Sequence, residues 1–129
     1  MLLNADVWVY SALATDAAVS ASLTGGAGVV LIFPNDFEIL PVLTYTVTQS
    51  VSTMDIWDDQ PHGNDVVATL DIYTRNDALT RAIEVAVDAV MVGLLFNLDF
   101  REPLGDPSAK TQHVSLRYSR SGVLAEDVA

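Results

Sequence analysis

The chain of 129 residues and 13.9 kDa is long enough for a single domain with one core, and with half its residues hydrophobic and a mean hydropathy of +0.33 it is not a disordered chain. Only 18% of its residues are charged, below the roughly 25% usual for soluble domains. Yet 17 Asp and Glu stand against 6 Lys and Arg, a net charge of −11 that repels phosphate backbones, and the absence of cysteine excludes disulfide scaffolds, Cys-ligated metals and thiol catalysis.

The first residues, Met1 to Asp6, lack the basic start of a signal peptide, so a cytosolic site of synthesis is expected. The longest apolar stretch, Val85 to Phe96, contains Asp88 and is too short for a bilayer span, so no membrane association is expected. Val7, Trp8, Tyr10, Ala12 and Leu13 give a short helical pattern that stops near Thr15-Asp16. Thr15 reads as the N-cap of a second short helix through Ala18, Val19 and Leu23, which Gly25-Gly26 ends. Val29 to Phe33 reads as a short buried strand closed by Pro34-Asn35-Asp36.

Pro41 opens a strand that alternates to Val51, with Leu43, Tyr45, Val47 and Val51 inward and Thr44, Thr46, Thr48 and Ser50 outward. Val66 to Arg75 repeats the pattern, with Val66, Ala68, Leu70 and Ile72 inward and Thr69, Asp71, Tyr73 and Arg75 outward. Between them, Ser52 to Asp65 is too long for a hairpin turn. A long helix is predicted from Asn76, its cap, to Phe96. Leu79, Ile83, Ala86, Val87, Val90 and Leu94 make its core stripe, and Arg81, Glu84 and Asp88 its solvated side. Val85, Ala89 and Val92 widen the apolar arc to half the circumference or more, so the helix lies deep or meets a neighbour. Leu98 to Arg101, a turn from Pro103 to Pro107 and a strand from Gln112 to Arg120 follow, with Val114, Leu116 and Tyr118 inward. Residues 1–6 and 122–129 are expected to be loose. The fold class is α+β in one domain: a mainly antiparallel β-sheet, short N-terminal helices and one long helix packed on one face, in the order α-β-β-β-α-β-β.

Catalytic and metal constellations are poorly represented, and no enzyme and no cofactor are expected. His62 and His113 have no ligand spacing and read as solvated. Asp55, Asp58, Asp59 and Asp65 crowd one stretch without the spacing of a calcium loop, so no metal site is assigned. Glu84 and Asp88 share a face with Arg81 that reads as an exposed ion-paired surface. Trp57, flanked by Ile56 and by Asp58-Asp59, either folds back on its own sheet or anchors a contact with another chain. Ile56, Trp57, Asp58, Asp59, Val85, Ala89 and Val92 are therefore the candidate interface residues.

One family combines these features in this order. They are the Leu13…Asp16…Val19…Leu23-Thr24-Gly25-Gly26 opening, Val30-Leu31-Ile32-Phe33, Pro41-Val42-Leu43-Thr44-Tyr45 and the Asp55-Ile56-Trp57-Asp58-Asp59 loop. The strand Val67 to Arg75, the helix Ala78 to Leu95 and the closing His113 to Tyr118 complete them. From about Val9 to Ser121 the chain resembles the tail-completion proteins of long-tailed bacteriophages, also called tail-terminator or tail-to-head joining proteins. The resemblance implies a virion protein, made in the host cytoplasm, that forms a homo-oligomeric ring, typically a hexamer, at the head-proximal end of the tail tube. Its partners would be the tail tube protein and the head connector or stopper, with genome DNA passing through the lumen without specific binding. Asp55, Asp65 and Asp71 are the candidate lumen residues that would repel that DNA. An adaptor domain that binds one protein partner through the 52–65 loop is the alternative.

Overall fold

Apolar–polar alternation builds the middle of the molecule. The computed structural model of the protein describes residues 3–26, 28–30, 40–51, 63–105 and 111–128. Strand β2 (Val42–Val51) pairs antiparallel with β3 (Asn64–Thr74), Thr46 opposite Thr69. Along β3 every second residue, Val66, Ala68, Leu70 and Ile72, is fully buried, as the alternation predicts. Strand β5 (Gln112–Val123) pairs antiparallel with the other side of β3, and β4 (Asn97–Pro103) pairs antiparallel with β5. Strand β1 (Gly28–Val30) adds parallel to β2, which completes a five-stranded sheet in the order β1-β2-β3-β5-β4. It is half-buried, because it lies at the sheet edge, where the sequence suggests a buried strand. A glycine is obligatory just before it: a Cβ at Gly26 would stand 1.7 Å from the carbonyl oxygen of Pro41.

Helices cover one side of the sheet. Helix α1 (Ala5–Thr15) buries Ala5, Val9 and Leu13, a spacing of four that keeps one face on the core. Helix α2 (Ala17–Ser22) follows after a single residue. Its cap is Asp16 rather than Thr15: the Asp16 carboxylate accepts a hydrogen bond from the Val19 amide at 3.0 Å. Thr15 is still helical and its hydroxyl donates back to the Ser11 carbonyl, whereas Asp16 has the extended backbone that a cap needs. Helix α3 (Asp77–Gly93) starts at Asn76, whose side-chain oxygen accepts from the Ala78 and Leu79 amides at 2.8 and 3.2 Å.

The buried stripe of α3 is Thr80, Ile83, Ala86, Val87 and Met91, with Leu79, Val90 and Leu94 only partly covered. Thr80 belongs to the core because its hydroxyl is satisfied there, bonded to the Thr74 hydroxyl and the Asn76 carbonyl. Tyr73 also departs from expectation: it lies on the helix-free side of the sheet yet is buried, stacked against His113. The chain ends make specific contacts where looseness is expected. Leu3 is buried and exchanges two backbone hydrogen bonds with the Gln49 amide. Val123 is fully buried, and the short helix α4 (Ala125–Val128) is tied to β5 by an Arg120–Asp127 ion pair at 3.3 Å.

Candidate functional site

The wide apolar arc of α3 is left uncovered by the subunit. Ile83 and Val87 point into the core, so the opposite side of the helix carries its valines to solvent: Val85 is 71% exposed and Val92 55%, with Ala89 exposed between them. The helix ends in a Schellman turn, in which the Phe96 amide donates to the Met91 carbonyl and the Leu95 amide to that of Val92. The turn needs a left-handed residue, and Leu95 supplies it at φ 67°, with its side chain 67% exposed.

Immediately after that turn comes β4, an edge strand of which every residue is exposed. Helix α3 packs over β3 and β5, so β4 extends beyond the helix layer. A register shift between Leu98 and Phe100 sends these two large side chains to opposite faces, Leu98 paired with Tyr118 and Phe100 with Arg117. The guanidinium of Arg117 lies 5.9 Å above the Phe100 ring. Between α3 and β4 runs a groove of about 260 Å³ lined by Glu84, Val85, Asp88, Leu98, Arg101, Leu116 and Tyr118.

Polar contacts across this groove hold its walls together. Glu84 and Asp88 do not form the solvated face expected beside Arg81. Glu84 meets Arg101 of β4 at 2.8 Å, and Asp88 accepts the Tyr118 hydroxyl at 2.9 Å. Arg81 instead pairs with Asp77 on the surface. Burial holds the Tyr118 phenol well above its ordinary pKa, and its hydrogen bond to Asp88 adds to the effect. At the end of α3, Arg120 donates to the Leu94 carbonyl at 3.0 Å and lies over the Trp8 ring, which in turn packs 5.7 Å from Phe96.

The helix-free side of the sheet is polar. It carries Thr44, Thr46, Thr48 and Ser50 of β2 beside Asp71, Thr69, Val67 and Asp65 of β3. Asp65 and Asp71 are both half-buried. His113 is not solvated: its Nε2 is 2.9 Å from Asp71 Oδ1, both side chains are 17% exposed, and its ring stacks 4.2 Å from Tyr73. Burial, and secondarily the Asp71 charge, push the Tyr73 phenol up to about 12. Asp55, Ile56, Trp57, Asp58, Asp59 and His62 lie outside the described residues. Among the described residues no three His, Asp or Glu side chains gather as a metal site, and no helix is long and apolar enough to cross a membrane.

Val85, Ala89 and Val92, the interface candidates of the sequence, are exposed, and so are Leu95, Leu98 and Phe100, which the sequence reading does not single out. The alternation of Leu98 and Phe100 with Asp99 and Arg101 was the available signal, since a strand at a sheet edge has no second neighbour to cover it.

Comparison with known proteins assigns the chain to a family. The family model described as "Tail completion protein gp17" matches residues 7–120. A chain from a solved structure titled "Virion of native gene transfer agent (GTA) particle" shares the fold, with a TM-score of 0.62 and 16% identity over 88% of this chain and 90% of that one. No curated protein sequence matches. The family match takes in α3, the sheet and most of α1, and the chain belongs to the tail completion protein family, the structural proteins of the phage virion tail.

Proposed function

We propose that the protein closes into a ring of six subunits at the head-proximal end of the tail tube, ends tube polymerisation there and joins the tail to the head connector. The observation that carries this reading is the set of uncovered apolar side chains on α3, its terminal turn and the adjoining face of β4: Val85, Val92, Leu95 and Leu98. A small subunit gains by burying such side chains against a neighbour, and a heterologous contact repeated with the right rotation closes into a ring. One rim of the ring would meet the tail tube protein and the other the connector or stopper.

Asp65 and Asp71, on the helix-free side of the sheet, are assigned to the lumen together with Asp55. Six copies at −11 each would present DNA with a channel of its own sign, so that the genome slides without sticking. Tail assembly without the protein is expected to yield tubes of uncontrolled length that fail to join heads. Tubes of normal length that still attach to heads would refute the role. Asp65→Asn is expected to slow DNA passage in an ejection assay, and unchanged kinetics would remove that residue from the lumen.

A further inference from the structure

We draw no further inference here: the strongest candidate, the groove between α3 and β4, sets Glu84 and Asp88 against Arg101, which Glu84 already pairs, and nothing in the structure shows what covers it.

Discussion

Leu95 occupies a backbone position that suits glycine. At φ 67° a leucine costs roughly 1 kcal/mol against glycine, and its side chain recovers little of that while exposed to water. In the proposed ring, a contact with a neighbouring subunit would cover this apolar group and offset its cost. Leu95→Gly is expected to stabilise the monomer by about 0.5–1 kcal/mol in urea unfolding while weakening assembly. The buried tyrosines give the residue scale its pH dependence. Unfolded tyrosine ionises near ~10. Folded Tyr73 keeps its proton up to about 12, and Tyr118 is held above its ordinary value too. Their contribution is complete below the unfolded value and disappears as pH rises through the folded one. Stability measured by chemical denaturation should therefore hold up to about pH 10 and fall between 10 and 12, and Tyr118→Phe should flatten part of that fall.

At the scale of the element, α3 depends on Asn76 and on its pairing with β4. Asn76→Ala removes the acceptor for two amides and is expected to cost about 1 kcal/mol in thermal or urea unfolding. Val85 and Val92 contribute nothing comparable to the subunit, because they are mostly in water. Val85→Asp combined with Val92→Asp should leave the circular dichroism unchanged, bring the melting temperature to that of the dilute, dissociated subunit and abolish the proposed oligomer in light scattering. The Glu84–Arg101 and Asp88–Tyr118 contacts fix the distance between α3 and β4, so they shape the groove even where they add little net stability.

On the scale of the whole molecule, two helices span a five-stranded sheet. Helix α1 packs on β1 and β2, α3 packs on β3 and β5, and β4 is left over. In the proposed ring, the apolar surface left bare on α3, its terminal turn and β4 would be buried, and the stability of the subunit would be coupled to assembly. The melting temperature is accordingly expected to rise with protein concentration, by mass action, until the proposed ring is saturated. A melting temperature independent of concentration in a sample that is oligomeric throughout would separate folding from assembly.

Local pattern determined much of this. The period-two alternation of β2, β3 and β5 and the wide apolar arc and Asn76 cap of α3 are written in spacings of two to four residues, and each is satisfied within its own segment. The order of the elements and the family resemblance follow from the same local information. Other features depend on partners far apart in the chain. Asp71 is held by His113 and Asp88 by Tyr118, Glu84 reaches Arg101, and Thr80 enters the core through Thr74. No spacing encodes such pairings, because the strand order β1-β2-β3-β5-β4 brings the residues together only once the sheet has formed. For the same reason the sequence could declare α3 too apolar for one neighbour, while the tertiary structure decided which side of it remained bare: burial is a property of what packs alongside, not of the residue itself.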